Sequence, residues 1–532
     1  MKRHRAIPFL LLLTSALPDA RAQRHYTRTH DRMLLEARDL YAGEQWADAA
    51  KIYGRLFPVD TGYADVAFEL ATCLANMPEQ RDKAMPLFEC AMRNGHIEAT
   101  YQVAAMQHAQ QRFDQAEALL RTYRGLPGRA VPDVEVDRRL AMAATARALI
   151  AAPVNVRITN MGRMINSEAH DYCPLVTADG NTLYFTSRRA GSTGGQRDPS
   201  GQWFEDIYMA RRVDEIWSNA MSVGAPLNTG VQDATVGLDA GGDRMIIYRT
   251  GPDLVSGDLL ESQRHMGAWQ APEPLAGPIN SSAHEPSATL SPDGQDIYFT
   301  SDRAGGFGGR DLYRVRRLPD GQWSRALNLG PSINTPYDED APFLHSDGTT
   351  LFFSSNGHNT MGGYDIFRST LVDPDMNGWS APENMGHPLN TVNDDIYFCL
   401  SEDGETGYFS SERSGGLGGQ DIHQIIFPVS QVEHLLVRGV VTDAGEEPVK
   451  ARILLTRPDD GEVVGVYNTN GRTGRYVMMV APNSRYTMTV EAPGFTVAQS
   501  ELVTGAVHAD AREISLDITL ARNESTARAG QP

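Results

Sequence analysis

After its first residues the chain has no apolar run long enough to cross a bilayer, which excludes a helical membrane span beyond the N-terminus. It holds only four cysteines, Cys73, Cys90, Cys173 and Cys399, with no CxxC pair and no His/Cys spacing suited to zinc. Cys73 and Cys90 fall on neighbouring predicted helices, within reach of a disulfide. Buried free thiols are the simpler expectation for both pairs. No G-x-S-x-G nucleophile, no H-E-x-x-H pair and no phosphate loop occurs, so the common signatures of hydrolases and nucleotide enzymes are missing. Positive charge is also short. With 48 Lys and Arg against 67 Asp and Glu the net charge is −19, which argues against non-specific binding to nucleic acid or anionic lipid. Otherwise the composition, 41% apolar and 22% charged, is that of a globular protein. A length of 532 residues suits two to four domains.

The first 22 residues read as an export signal. Lys2, Arg3 and Arg5 precede the apolar stretch that begins at Ile7, and Ala20-Arg21-Ala22 forms an A-x-A cleavage site. Cleavage after Ala22 removes four positive charges and one negative, leaving a mature chain near −22. No cysteine follows the apolar stretch, so a lipid anchor is not expected. The expected location is the periplasm, with peripheral association to the outer membrane.

One stretch recurs five times. Its leading Asn is Asn166, Asn228, Asn280, Asn334 and Asn390, at spacings of 62, 52, 54 and 56 residues. A turn pair follows each Asn at a fixed offset: Asp179-Gly180, Gly241-Gly242, Asp293-Gly294, Asp347-Gly348 and Asp403-Gly404. Such pairs between apolar runs mark hairpins, because the tight turn needs positive φ. A Trp precedes four of the Asn residues (Trp217, Trp269, Trp323, Trp379), and an acid follows all five (Asp171, Asp233, Glu285, Glu339, Asp395). Periods near 50 residues indicate a propeller or solenoid. Each copy offers four short strands, in the third roughly Ser287–Leu290, Ile297–Ser301, Asp311–Val315 and Ala326–Leu329, and four strands per repeat make a propeller blade. The first copy has a spare strand before it and the last lacks its outer strand. Val154–Thr159 is therefore expected to pair beside Ile422–Phe427 and close the ring. The second copy is the most divergent, and the first carries an insertion around Gln196–Phe204.

Residues 29–150 show helical spacing of apolar and Ala positions. Ala49, Ala84 and Ala116 recur at 35 and 32 residues. Three helix pairs and a capping helix over Val134–Ile150 are expected. Residues 429–522 alternate in polarity between Gly and Pro turns, as in a small β-sandwich. Residues 523–532 form a polar tail. The expected fold class is multidomain α plus all-β. Residues 1–22 are the signal, 23–150 helical repeats, 151–428 a five-bladed β-propeller, and 429–522 the sandwich.

Several motifs resemble known families. The helical period resembles tetratricopeptide repeats, which stack into partner-binding surfaces. The strings Ser291-Pro292-Asp293-Gly294, Ile297–Arg303 and Gly308–Tyr313, echoed at Tyr408–Arg413 and Gly418–Ile422, resemble TolB-like, WD-repeat-like propellers of bacterial envelope proteins. The last domain resembles the non-catalytic carboxypeptidase regulatory-like domain. The whole order resembles the PorE-like envelope family linked to type IX secretion in Bacteroidetes. That resemblance implies a non-catalytic protein-interaction scaffold with envelope or secretion proteins as partners. In that family an OmpA-like domain usually follows and holds peptidoglycan. None follows here, so peptidoglycan anchoring is not expected.

The loops carrying Asn166, Asn228, Asn280, Asn334 and Asn390 and the acids Asp171, Asp233, Glu285, Glu339 and Asp395 should share one face with Arg189, Arg303 and Arg413. One reading is a ligand or cation site at the channel mouth. Calcium is its candidate ion, and Asp338-Glu339-Asp340 and Asp394-Asp395 are its densest clusters. The other reading is that the same side chain in every blade serves the blade, through turn backbones and Arg pairs. Asp206, Asp258, Asp311, Asp365 and Asp421, which precede the third strand, should tie down the Gly-rich loop. The Trp residues should be plugs between sheets. No cofactor is required. An enzyme is not expected, since catalytic carboxylates need unequal environments and these repeat evenly. A propeller holding a glycan or peptidoglycan fragment is the rival binding reading.

Overall fold

The computed structural model describes residues 26–198, 201–214, 216–239, 241–254, 256–373, 377–402, 404–427, 435–458, 461–482, 484–504 and 513–523. The signal over residues 1–22, Asp403 of the fifth turn pair and most of the tail lie outside these. The described residues fall into two compact units that divide between Ala151 and Ala152. The class is α plus all-β.

The helical unit contains α1 (Arg28–Ala42), α2 (Trp46–Leu56), α3 (Ala64–Ala75), α4 (Ala84–Arg93), α5 (Ile97–Ala109), α6 (Phe113–Arg124) and α7 (Asp133–Ala151). Consecutive helices pack on each other, so three hairpins stack and α7 covers the last. Ala49, Ala84 and Ala116 are fully buried at these contacts. A methyl group there lets backbones approach, and larger side chains such as Tyr53, Phe88 and Tyr123 fill the space beside them. Cys73 on α3 and Cys90 on α4 are both free thiols, and burial pushes the Cys73 thiol up to about 12. No described helix is long and apolar enough to cross a membrane.

The second unit opens with five antiparallel sheets. The first runs through Asp171–Val176, Thr182–Ser187, Asp206–Val213 and Ile216–Trp217, and the second through Asp233–Leu238, Arg244–Thr250, Gly257–His265 and Ala268–Trp269. The third comprises Ala288–Leu290, Asp296–Ser301, Asp311–Arg316 and Leu327–Asn328. The fourth comprises Glu339–Leu344, Thr350–Ser355, Asp365–Asp373 and Gly378–Trp379. The fifth joins Asp395–Leu400, Thr406–Ser411 and Asp421–Ile426 to Arg157–Asn160, from the start of the unit. Arg157 pairs with Ile426 and Asn160 with His423, the pairing expected of the spare strand. The innermost strand of each sheet lies against that of the next, and the fifth lies against the first, so the contacts run in a cycle. All five turn glycines take positive φ, between 67° and 73°.

The Trp residues bridge neighbouring sheets. Trp217 meets Tyr408, Trp269 meets Tyr184 and Trp379 meets Tyr298, each edge-on with ring centroids 5.9–6.2 Å apart. Trp323 packs on the cluster that holds Ile246, at the position the tyrosines occupy in other copies. Where a fifth Trp is missing, Val156 and Ile158 pack on the cluster around Phe352. Only Trp379 is buried, and the other three are half-buried.

The chain ends in two further sheets around one core. Leu435–Asp443 pairs with Arg475–Val480 and, in parallel, with Glu513–Ser515 and Ile518–Leu520. The facing sheet orders Val463–Asn468, Arg452–Thr456, Arg485–Glu491 and Ala498–Val503. Val437, Ile453 and Met478 lie fully buried between them.

Candidate functional site

The repeated Asn residues are spent on backbone. Each side-chain amide makes two bonds to one residue in the third strand of the preceding sheet, accepting its N–H and donating to its C=O. The partners are Ile422 for Asn166, Ile207 for Asn228, Leu259 for Asn280, Leu312 for Asn334 and Ile366 for Asn390. All ten distances lie between 2.8 and 3.0 Å. The Asn166–Ile422 clamp spans the seam between the fifth sheet and the first. An amide matches the peptide's own donor and acceptor, so it takes up the N–H and shares the C=O, which in each case also accepts a backbone N–H, from Met161, Val223, Leu275, Leu329 or Met385.

The repeated acids hold their own loops. Asp171 accepts from the backbone N–H and hydroxyl of Ser167, and Asp233, Glu339 and Asp395 do the same with Thr229, Thr335 and Thr391. Glu285 does so with Ser281. A guanidinium then bridges four of the acids to a loop carbonyl: Arg189 to Asp171 and Ile165, Arg249 to Asp233 and Leu227, Arg303 to Glu285 and Ile279, Arg413 to Asp395 and Leu389. In the fourth copy His358 takes the place of the arginine, its Nε2 lying 2.8 Å from the Ile333 carbonyl. Glu339 therefore lacks a guanidinium, and burial raises its carboxyl to about 7.

Asp206, Asp311, Asp365 and Asp421 accept backbone N–H bonds from Thr193, Phe307, Met361 and Leu417 in the Gly-rich loops, as expected. Asp258 differs: it is exposed, in the copy without that loop. A Cβ on Gly308, Gly362 or Gly418 would collide with the carbonyl of Tyr337, Val392 or Ala169 in the next copy, so only glycine lets the loops nest.

These contacts are the blade-serving alternative for the repeated set. Among the described residues no group of three or more His, Cys, Asp or Glu is arranged to hold a metal ion. At the densest acidic stretch, Arg310 instead supplies the positive charge. Its Nη1 lies 2.5 Å from Asp340 Oδ2, and its backbone N–H bonds Asp338 Oδ1 at 2.9 Å. Asp394 accepts from the Tyr364 N–H at 2.9 Å.

The residues that break the repeat form a different group. Tyr172 and Asp340 directly follow a repeated acid, and Glu205, Arg310 and Tyr364 directly precede a third-strand Asp. Arg310 Nη2 donates to the Tyr364 hydroxyl at 2.6 Å, and Ser287 Oγ donates to Asp340 at 2.5 Å. Tyr172 and Tyr397 stack with centroids 5.7 Å apart. Glu205 lies 3.9 Å from Arg188, which also bonds Asp198 and the Trp203 carbonyl in the insertion of the first copy. Burial raises the phenols of Tyr172, Tyr364 and Tyr397, and nearby acids add to this: Glu205 at Tyr172, Asp338 and Asp340 at Tyr364, Asp340 and Glu205 at Tyr397. Burial opposes the charge on Arg310, yet Asp340 and Asp338 hold its pKa above the usual arginine range.

Beside this group the innermost strands are irregular. Register shifts interrupt four of them, and Cys173, Ala341 and Tyr397 take left-handed φ of 51°, 51° and 60°. Non-glycine residues adopt that region at a cost, and such positions cluster at functional sites. A pocket between the five innermost strands continues past them, lined by Val176, Val236, Leu238, Phe343 and Phe398. The arrangement has an apolar shaft and a polar, aromatic rim. Apart from Asp340, which stands in the acidic stretch named from the sequence, the rim residues were missed by reading what recurs. Their signal was the departure from the repeat directly beside a repeated residue.

No family model matches the chain, and no curated protein matches it. Solved structures similar to parts of it include a glycoside hydrolase, at 10% identity over 54% of this chain and 95% of that one, with a TM-score of 0.38. An endo-arabinase from Bacteroides thetaiotaomicron is 14% identical over 50% of this chain and 96% of its own, with a TM-score of 0.33. An alpha-L-arabinofuranosidase from Lactobacillus brevis is 11% identical over 49% and 92%, with a TM-score of 0.31. Likenesses of this size carry no argument about chemistry.

Proposed function

We propose that the chain is a non-catalytic interaction scaffold of the bacterial envelope. In this reading the stacked hairpins are tetratricopeptide-type repeats, the five sheets are the blades of a β-propeller, and the final two sheets are a spacer or third contact. The observation that carries it is the use of the repeated polar residues. The recurring Asn, acid and Arg sets, which could suggest shared chemistry, are consumed in holding loops and neighbouring sheets. What is left for function is surface: a stack of helices and the rim of a ring. The export signal read in the first 22 residues supports a periplasmic location, and the resemblance of the domain order to the PorE-like family supports an accessory role in type IX secretion with envelope or secretion proteins as partners.

The test is crosslinking in the cell, with a photoreactive residue placed on α1 to α7 or on the rim loops and mass spectrometry of the products. The scaffold reading expects the same envelope or secretion protein from several positions on one surface. Crosslinks spread evenly over abundant bystanders would overturn it. A second reading, a propeller that holds a glycan, is favoured by the unequal cluster of Tyr, Arg and acid side chains at the rim.

A further inference from the structure

The geometry points to a binding site for an uncharged sugar ring at the rim, built by Tyr172, Tyr397, Tyr364, Arg310, Asp340 and Glu205. This rests on the glycan reading and gives it residues other than the repeated Asn and acid set.

The ligand class follows from charge. Every charged group of the rim already has an opposite charge or a donor against it. Arg310 is held by Asp340, with Tyr364 on its other nitrogen. Arg188 is held by Asp198, with Glu205 close by. Asp338 and Asp394 accept backbone N–H groups. An anionic ligand would meet no unpaired guanidinium, and it would face acids that outnumber the two arginines. An ammonium group would have to displace a guanidinium from a buried carboxylate, which costs more than it returns. A neutral ligand pays neither penalty.

Shape and polarity narrow it further. Tyr172 and Tyr397 present stacked, partly buried rings, and Tyr364 adds a third phenol close to Arg310. Flat aromatic faces suit the C–H face of a pyranose, and fixed planar acceptors and donors at the edge suit its hydroxyls. The rim is preorganised. Arg310 is pinned at two nitrogens and Asp340 at both oxygens, so few side chains lose freedom on binding. The insertion of the first copy adds Trp203 to the same side, with Arg197 over its ring at 4.1 Å and its carbonyl bonded to Arg188. Only that copy carries it, as a site for one ligand on a five-fold frame requires.

The experiment is calorimetric titration of the full chain with four probes: a neutral hexose oligomer, a neutral N-acetylhexosamine oligomer, a uronic acid oligomer and a glucosamine oligomer. The expected result is binding of one or both neutral probes. Tyr397→Ala and Tyr172→Ala should each weaken it by about tenfold, and Tyr364→Phe by less. Phe307→Ala, an exposed ring in a Gly-rich loop outside the cluster, should leave it unchanged. Thermal unfolding of each variant shows that it has folded. Binding of the charged probes in preference, or neutral binding that survives both Tyr substitutions in folded protein, would overturn the assignment of residues and ligand class while leaving the glycan reading standing. No binding by any of the four would overturn both.

Discussion

At the scale of single residues, the amide clamps and the one copy without an arginine make the sharpest predictions. Asn228 is buried and accepts the Ile207 N–H at the join between two sheets, while its amide shares the Ile207 C=O with the Val223 N–H. Asn228→Ala should cost about 1–3 kcal/mol, because the buried Ile207 N–H loses its bond while the C=O keeps the one from Val223. Asn280→Ala should cost less, since Asn280 is only partly buried and water can replace it. Chemical denaturation of the two variants measures the order. Glu339 gives a pH signature. Its carboxyl is raised from 4.5 to about 7 by burial. It holds its proton more tightly when folded, so its stabilising contribution is whole below about pH 4.5 and is lost as pH rises through about 7. Glu339→Gln keeps the neutral form at every pH. The variant should gain on the parent between pH 4 and pH 8 by on the order of 3 kcal/mol, read as a growing difference in unfolding free energy. A difference that stays flat would show that the Glu339 carboxyl holds its proton no more tightly in the folded chain than in the unfolded one. This scale also shows where the sequence was silent. Asn, acid and Asp could be aligned because each set makes the same kind of backbone bond in successive copies. Arg310 and Tyr364 could not, because a residue that binds its counterpart in a neighbouring copy has no periodic signal.

Among elements, the outer-strand tryptophans differ in what they hold. Trp379 is 6% exposed and packs on Tyr298, so Trp379→Ala should cost about 3–5 kcal/mol. Trp323 is half-buried at the edge of the cluster that holds Ile246, so Trp323→Ala should cost distinctly less. The midpoint of thermal unfolding ranks them. Strand positions were legible because Asp-Gly turns and apolar alternation fix both ends. In the third copy the expected Ile297–Ser301 and Ala326–Leu329 correspond to Asp296–Ser301 and Leu327–Asn328. The strands Met221–Ser222, Glu273–Pro274 and Glu383–Asn384 stand at the same place after the Trp in their own copies, as the expected fourth strand. Each has two residues and pairs with the earlier part of a third strand. The second copy diverged for a local reason. Gly257 stands where other copies carry Glu205, Arg310 or Tyr364, and the Tyr248 hydroxyl occupies the space a Cβ there would need.

For the whole molecule, the central claim is that the recurring polar residues hold five sheets in a cycle that the start of the unit closes. Arg157–Asn160 supplies the fifth sheet's last strand, Asn166 clamps Ile422 across the seam to the first sheet, and Asn160 bonds Asp421 within the fifth sheet. The helices form a separate compact unit with its own core. The most direct test is scanning calorimetry of the full chain beside a chain lacking residues 153–160. The account predicts that the transition of the sheets falls by roughly 10 °C or more, or loses its cooperativity, while the helical transition stays where it was. A sheet transition unchanged by the deletion would contradict it.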